Sequence, residues 1–275
     1  MTNDVATHYG TTGLLDRILT ALAQSGKDVT RLTIDDLALV DEFHSRRRRA
    51  TEELARMLAP SAGDHVIDIG SGIGGPSRYL AATYGCQVSG VDLTPEFVAT
   101  ATGLTERVGL TEKVDFRQGS ALALPFPDGS FDLAWSQNVA MNIADRPRYY
   151  REMRRVLKPG GRLAIQDVAQ GPGGPVILPA MWAEQPEISF LRTPEDTRQM
   201  LEAAGFRVLQ WIDNSAAALA EAAAERAAMR SPSGPPLLGI HLIVGPSARE
   251  KMRNGQRNQE EGRTLLLNAL LERVG

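Results

Sequence analysis

A glycine-rich segment early in the chain carries the clearest chemical signal. The apolar run 66–69 reads Val-Ile-Asp-Ile, and the segment 70–75 that follows reads Gly-Ser-Gly-Ile-Gly-Gly. Glycines at these spacings allow a tight turn and let the backbone approach a ligand closely. Asp92 lies about twenty residues further on, at the end of the next apolar run, where a carboxylate can accept hydrogen bonds from both hydroxyls of a ribose. The pattern predicts a ligand that contains a nucleoside.

The loop alone does not separate a dinucleotide from another adenosine ligand, because Gly70, Gly72 and Gly75 also satisfy the dinucleotide pattern G-x-G-x-x-G. Asp68, inside the strand, suits a cation better than a pyrophosphate, and S-adenosylmethionine carries an ammonium and a sulfonium group. The chain has no Y-x-x-x-K pair, and a helical insert stands where a second nucleotide-binding half would begin. These features favour S-adenosylmethionine. An NAD-dependent oxidoreductase and a non-catalytic S-adenosylmethionine-binding protein are the alternatives.

The loop needs a strand before it and a helix after it, and the pattern of apolar residues supplies both repeatedly. Short apolar runs alternate with segments of helical period, which predicts an α/β fold with a doubly wound, mostly parallel sheet covered by helices on both faces. The predicted strands are 66–69, 87–91, 113–117, 131–136, 162–168, 207–212 and 239–244.

The same pattern divides the chain into three parts. We predict an N-terminal helical cap over 1–60, a Rossmann-like domain over 61–246 and a C-terminal helix over 247–275. Two inserts interrupt the domain, a lid over 170–193 and a helical insert over 214–238. The lid is rich in glycine and proline, and connections of this length often close over a binding site. We therefore expect it to form a mobile cover over the second substrate.

Composition excludes several function classes. The net charge of −3 argues against nucleic acid as a partner, because phosphate binding needs a basic surface. One cysteine and four histidines, scattered along the chain, predict no metal site. No secretory signal and no run of about 18 apolar residues is present, so we expect a cytoplasmic protein without membrane insertion. These numbers leave the oligomeric state open.

Taken together, the motifs resemble those of the class I, Rossmann-like S-adenosylmethionine-dependent methyltransferases, in particular the ubiquinone/menaquinone-type and sarcosine/dimethylglycine-type enzymes that act on small molecules. The resemblance implies a seven-stranded sheet with the order 3-2-1-4-5-7-6 and an antiparallel seventh strand. It also implies S-adenosyl-L-methionine as cofactor and in-line methyl transfer to a nitrogen, oxygen or carbon of a small-molecule acceptor. The matching segments are 66–72, 91–93, 118–121, 124–126, 131–132 with 137–138, and 155–161.

The resemblance also assigns cofactor roles, residue by residue. The methionine part of the cofactor is assigned to Asp68, Gly70, Gly72 and Gln137, the ribose to Asp92, and the adenine to Leu93, Ser120 and Ala121. Tyr9 resembles an N-terminal tyrosine that closes over the cofactor beside the substrate.

Other residues are candidates for acceptor binding and catalysis. Asn138, Met141 and Asn142 follow the fourth strand, at the edge of the sheet where ligands bind. In the lid, Trp182 and Phe190 either line an apolar pocket or pin the lid. His44 precedes the third helix of the cap. It is either a general base for a hydroxyl acceptor, a positioning group for an amine, or a surface histidine.

Overall fold

The computed structural model describes residues 13–42, 44–228, 238–245 and 247–275. Within these residues seven strands form one sheet with the order β3-β2-β1-β4-β5-β7-β6. β7 is antiparallel to both of its neighbours, and the other pairs between β1 and β5 are parallel. This confirms the predicted fold class and strand order. The strands are β1 (His65–Ile69), β2 (Gln87–Asp92), β3 (Val114–Gln118), β4 (Phe131–Gln137), β5 (Leu157–Gln170), β6 (Phe206–Asp213) and β7 (Thr264–Arg273).

Helices pack against both faces of the sheet. In the described part of the chain, none of them has the length and apolar character needed to cross a lipid bilayer. The helices are α1 (Leu14–Gln24), α2 (Ile34–Asp41), α3 (Arg47–Leu58), α4 (Gly75–Tyr84), α5 (Pro95–Arg107), α6 (Arg146–Val156), α7 (Pro194–Ala203), α8 (Ser215–Ala228), α9 (His241–Val244) and α10 (Ala248–Glu260).

The central strands are buried along most of their length because both of their faces are covered. All residues of β1 after His65 are buried, as expected for a parallel strand between two helical layers. β1 lies in register with β2, with Ile69 beside Val91, and with β4 on its other side. Parallel strands of this kind bring their carboxyl ends to one edge of the sheet, so the residues that follow β1, β2 and β4 meet there.

The N-terminal cap packs against this edge through its own apolar cluster. Leu14 of α1 and Leu37 of α2 are fully buried together with Ile73 of the glycine loop and Phe97 of α5. Ile243 of α9 joins the same cluster. Burying a leucine or phenylalanine side chain contributes roughly 1.5–3 kcal/mol. The cap is therefore held against the loop by apolar packing as well as by polar contacts.

The structure corrects the assignment of the seventh strand and of the C-terminal helix. The segment 239–244, predicted to be a strand, instead contains the short helix α9. The segment 247–275, predicted to be one helix, contains helix α10 and then strand β7, which pairs with β5 along nine residues from Arg162 to Gln170.

Both errors have the same physical origin. The run 239–244 is short and apolar, and such a run fits a strand or a buried helical turn equally well. β7 is buried on both faces between β5 and β6, so its sequence shows no alternation, and its five leucines and one alanine favour a helix by propensity alone. Gly262, with φ 63°, follows α10 and allows the chain to turn into β7.

Candidate functional site

The glycine loop after β1 is held against β2 by its own backbone. The N–H groups of Gly70 and Ser71 both donate to the carbonyl oxygen of Val91, at 2.8 and 3.1 Å. Gly70 has φ 77°, and a Cβ atom there would lie 2.3 Å from a methyl carbon of Val139. Only glycine satisfies both constraints. The loop therefore lies between the end of β2 and the segment that follows β4.

Asp92 closes the loop from the end of β2. One of its carboxylate oxygens accepts a hydrogen bond from the backbone N–H of Gly72, and the other accepts from the N–H of Thr94, both at 2.9 Å. Burial raises the pKa of Asp92, while these two backbone donors act in the opposite direction. The carboxylate is thus fixed at the mouth of the loop, where its remaining lone pairs are available to a ligand.

Asp68 lies below the loop, in the middle of the sheet edge. Its side chain is buried, and one carboxylate oxygen accepts from the Ser77 hydroxyl at 2.5 Å. Burial, with the nearby charge of Asp92, raises the pKa of Asp68 to about 7 although the Ser77 hydrogen bond opposes the shift. A positively charged ligand group would favour the ionised form. A buried and a half-buried carboxylate at one loop suit a ligand that carries both hydroxyls and a cation.

Two buried polar atoms at the same cavity have no hydrogen-bond partner among the described residues, the Ser71 hydroxyl and the Asn138 amide oxygen. Asn138 has φ 58°, a conformation that is uncommon outside glycine. Its N–H donates to the carbonyl oxygen of Gln166 at 2.7 Å, which holds the strained turn in place. Buried polar atoms are normally paired, so both atoms indicate a polar ligand. The donor and acceptor set fits S-adenosylmethionine.

A single cavity brings the predicted residues together. Tyr9 lies outside the described residues. Gln137 lines the cavity, but its amide nitrogen donates to the Gln166 side chain at 2.6 Å, so part of its polar surface is already used. The predicted residues that line the cavity are His44, Asp68, Gly70, Gly72, Asp92, Leu93, Ser120, Ala121, Gln137, Asn138, Met141, Asn142, Trp182 and Phe190.

His44 stands in the cavity wall and pairs with a buried carboxylate. Its Nε2 atom lies 3.0 Å from an oxygen of Glu42 and 3.1 Å from the hydroxyl of Thr51. Thr51 itself donates to the same Glu42 oxygen at 2.8 Å. The other Glu42 oxygen accepts from Arg48 at 2.7 Å. The side chains of His44 and Glu42 are 8% and 0% exposed, which makes a surface role for this histidine untenable.

These partners define which ring nitrogen can exchange a proton. Burial works against the charge of Glu42, but hydrogen bonds from His44 and Thr51 and the charge of Arg48 keep its pKa below the ordinary value. A carboxylate only accepts, so Nε2 carries the hydrogen and Nδ1 holds the lone pair in the neutral ring. After Nδ1 takes up a proton it can donate to the carbonyl oxygen of Ser45, 3.3 Å away.

The far wall of the cavity is formed by the lid and by the segment after β4. The N–H of Phe190 donates to the carbonyl oxygen of Met141 at 2.8 Å. The amide of Asn142 donates to the carbonyl oxygen of Trp182 at 2.7 Å, and the Trp182 indole N–H donates to Ser189 at 2.9 Å. Trp182 therefore lines the cavity and is hydrogen-bonded to Asn142 and Ser189, and its role toward an acceptor stays a prediction.

A second set of contacts ties the lid to α10. Asn258 exchanges two hydrogen bonds with the backbone of Ile177, accepting from its N–H at 2.7 Å and donating to its carbonyl oxygen at 3.0 Å. Lys251 forms an ion pair with Glu184 at 2.6 Å. The lid is docked on the molecule at several points. Its mobility stays a prediction.

Residue types alone did not reveal three polar members of the site. Glu42 and Thr51 hold His44, and Asp41 lines the cavity while it pairs with Arg78 of α4 at 2.5 Å. Burial raises the pKa of Asp41 to about 6 in spite of Arg78. In the sequence these residues look like ordinary polar positions of a cap helix. The one signal is the pair of carboxylates that precedes His44 by two and three residues.

Comparison with known proteins adds independent information. Residues 67–165 match the model of a family described as a methyltransferase domain. The chain is 30% identical to a sarcosine/dimethylglycine N-methyltransferase from Halorhodospira halochloris over 198 residues, which cover 71% of this chain and 70% of that protein. It is 39% identical to a probable tocopherol O-methyltransferase from Oryza sativa subsp. japonica over 132 residues. That match covers 46% of this chain and 36% of the rice protein, so the chain spans about a third of that relative.

A solved structure is similar over nearly the whole chain. The crystal structure of the [4+2]-cyclase SpnF has a TM-score of 0.66 and 26% identity, and the match covers 95% of this chain and 93% of that one. The similarity therefore includes the cap and the lid as well as the sheet.

Proposed function

Since the chain belongs to the class I S-adenosylmethionine-dependent methyltransferases, we propose that it transfers the methyl group of S-adenosylmethionine to a small-molecule acceptor. One observation carries the proposal. One cavity is lined by the glycine loop and its two carboxylates, by His44 and by apolar side chains that include Trp182 and Phe190. A binding protein without turnover would need neither these apolar side chains nor a buried histidine–carboxylate pair.

The cofactor roles follow from the positions of the groups. We assign the ribose hydroxyls to the fixed carboxylate of Asp92 and the methionine ammonium to Asp68. Gly70 and Gly72 bring the backbone close to the methionine part. Leu93, Ser120 and Ala121, which also line the cavity, are assigned to the adenine, as the resemblance implies. Tyr9 keeps its role as a predicted cover over the bound substrates.

His44 is assigned as the general base for a hydroxyl acceptor. Bound S-adenosylmethionine supplies an electrophilic methyl group on a sulfonium, so the protein needs to orient the acceptor, exclude water and remove one proton. Nδ1 of His44 takes that proton, and Glu42 stabilises the positive ring. Gln137, whose amide nitrogen lies 3.4 Å from Nδ1, contributes to the orientation of the ring.

Calorimetry and turnover together test this proposal. The purified full chain should bind S-adenosylmethionine and S-adenosylhomocysteine, and a titration with NAD should give no heat of binding. With a panel of small alcohols, phenols and amines, release of S-adenosylhomocysteine should depend on the acceptor. Binding of NAD in place of S-adenosylmethionine would overturn the assignment and favour an oxidoreductase.

A cyclisation reaction is the second candidate. The observation in its favour is the similarity to the [4+2]-cyclase SpnF across nearly the whole chain. An apolar cavity can fold a flexible substrate without using the methyl group of the cofactor. The two candidates differ in stoichiometry, because methyl transfer consumes one S-adenosylmethionine for each product. A product of unchanged mass, formed while the cofactor is conserved, would identify a cyclase.

A further inference from the structure

We infer that the acceptor is an uncharged, largely apolar molecule that is methylated on a hydroxyl group. This inference rests on the proposed function and names the acceptor class for the same site. Three independent features of the acceptor half support it, namely its apolar walls, the sign of the charges around it and the histidine–carboxylate pair. The acceptor half is defined here by Met141, Met181, Trp182, Phe190, Ile240 and Val244.

The walls of the acceptor half offer little hydrogen bonding to a ligand. All six side chains are apolar or aromatic, and the indole N–H of Trp182 is already bonded to Ser189. The amide nitrogen of Asn142 is directed at two lid carbonyls, those of Trp182 and Ile188. A polar acceptor would lose hydration in this compartment without gaining equivalent partners. An apolar ring or chain instead gains about 25 cal/mol for each Å² of surface removed from water.

The charges around the cavity are of one sign. Among the described residues that line it, the charged groups are the carboxylates of Asp41, Asp68 and Asp92, and no lysine or arginine is among them. Asp41 is matched by the buried guanidinium of Arg78, whose two terminal nitrogens also donate to the carbonyl oxygens of Ala101 and Ile73 and to the hydroxyl of Thr105. Since the described residues of the lining include no basic side chain, a phosphate or carboxylate on the acceptor would be desolvated without a counter-charge from the protein. The cavity therefore disfavours anionic acceptors.

The histidine–carboxylate pair distinguishes a hydroxyl from an amine. A neutral amine already presents a lone pair, and its proton can leave after the transfer. A hydroxyl is a weak nucleophile until its proton is removed, which is the step that Nδ1 of His44 can perform. In the balanced step, the acceptor oxygen forms a bond to the methyl carbon as the carbon–sulfur bond breaks. The electron pair stays on sulfur, S-adenosylhomocysteine leaves as a neutral thioether, and the hydroxyl proton moves to His44.

Three matched probes test the inference on the full chain. 1-Naphthol, 1-naphthylamine and 1-naphthyl phosphate share one apolar ring system and differ in the group that meets His44. With S-adenosylhomocysteine bound, 1-naphthol should bind at least about tenfold more tightly than the phosphate. With S-adenosylmethionine, 1-naphthol should give the methyl ether at least about ten times faster than the amine gives its N-methyl product.

Each contrary result overturns a defined part of the inference. Equal or tighter binding of 1-naphthyl phosphate overturns the exclusion of anions. Equal or faster methylation of 1-naphthylamine overturns the hydroxyl assignment. If 1-naphthol neither binds nor reacts while S-adenosylmethionine still binds, the apolar acceptor class is wrong. Failure to bind S-adenosylmethionine would instead overturn the proposed function itself.

A charge inserted into the wall provides the matched control. Met181 is half-buried in the lid and lines the acceptor half. Met181→Arg should raise the affinity for 1-naphthyl phosphate by about tenfold, since it supplies a counter-charge. The uncharged variant Met181→Gln, of similar length, should leave that affinity low. If both variants raise it equally, steric access and not charge excludes the phosphate, and the electrostatic argument is wrong.

Discussion

The two halves of the cavity are built in different ways. The cofactor half consists of strand ends and the turns that follow them, and its contacts are made largely by backbone atoms, as in the pair of bonds from Gly70 and Ser71 to Val91. The acceptor half is formed by side chains from segments that are far apart in sequence, including the lid and α9. Its shape depends on how those segments dock.

Because of this difference, we expect the cofactor half to determine the general chemistry and the acceptor half to determine which acceptor is used. Backbone conformations at the cofactor half leave few choices, since a side chain at Gly70 would collide with Val139. The acceptor half is less constrained, because apolar side chains can be exchanged while the lid remains docked through Asn142 and Asn258. Changes in the two halves should therefore affect different measurements.

Replacement of His44 should give the largest effect, and only on turnover. Loss of a general base typically costs about 10²–10⁴ in rate. His44→Ala should lower kcat by that amount with a hydroxyl acceptor and leave the Kd of S-adenosylmethionine unchanged. The control is His241→Ala in α9, a histidine that does not line the cavity. A fall of only a few-fold would reduce His44 to a positioning group, and an unchanged rate would remove it from the reaction.

Replacement of Asp92 should have the opposite effect, on cofactor binding and not on turnover. Loss of a charge-assisted hydrogen-bond acceptor costs roughly 1.5–3 kcal/mol, which is about 10- to 150-fold in affinity. Asp92→Asn should weaken S-adenosylmethionine binding by this amount, while kcat at saturating cofactor changes little. Asp128→Asn on the surface is the matched control, since Asp128 is 81% exposed. Unchanged affinity in calorimetry, with a folded variant, would contradict the ribose assignment.

The sequence predicts the cofactor half of the site better than it predicts the residues around His44. The loop from Gly70 to Gly75 and the acid at Asp92 are recognisable because tight turns restrict residue type locally. The roles of Glu42 and Thr51 cannot be predicted from the sequence, because they depend on how α2 and α3 pack together. No short sequence pattern encodes that packing. The position of β7 was missed for a related reason. Its leucines pair with a strand about a hundred residues earlier in the chain. Because both faces of β7 are buried, its sequence lacks the alternation of apolar and polar residues that identifies a strand.

Glu42 provides a finer test of the acceptor half, because it acts through His44. Glu42→Gln should lower kcat by about tenfold, less than the loss of the base itself. The Kd of S-adenosylmethionine should not change. Nitrogen-15 NMR of the His44 ring distinguishes positioning from a general structural defect. The native protein should show hydrogen on Nε2, and the variant should show a mixture of tautomers. An unchanged single tautomer together with a lower rate would argue against the positioning role.

Removal of the contacts between the lid and α10 should make the lid easier to cleave. Asn258→Ala removes both hydrogen bonds to the half-buried backbone of Ile177, and a hydrogen bond of this kind contributes about 0.5–1.5 kcal/mol. Cleavage within 170–193 by a protease should become several-fold faster, and the KM for the acceptor should rise while the Kd of the cofactor stays the same. Asn254→Ala removes only the single bond to the carbonyl oxygen of Pro179 and should have a smaller effect. Equal effects of the two variants would mean that the reciprocal pair is not the main anchor.

The smallest expected effect is a proton released when the cofactor binds. Burial raises the pKa of Asp68 to about 7, above its value of about 4 in an unfolded chain. The folded protein therefore holds this proton where the unfolded chain has lost it, and the contribution of Asp68 to stability declines as the pH rises from about 4 through about 7. A bound ammonium group favours the ionised carboxylate and expels the proton. At pH 6, calorimetry in two buffers of different ionisation enthalpy should show less than one proton released. Asp68→Asn should release fewer protons, and its unfolding temperature should fall less than that of the native protein between about pH 5 and pH 8. Equal release by both proteins would place the cation elsewhere in the cofactor half.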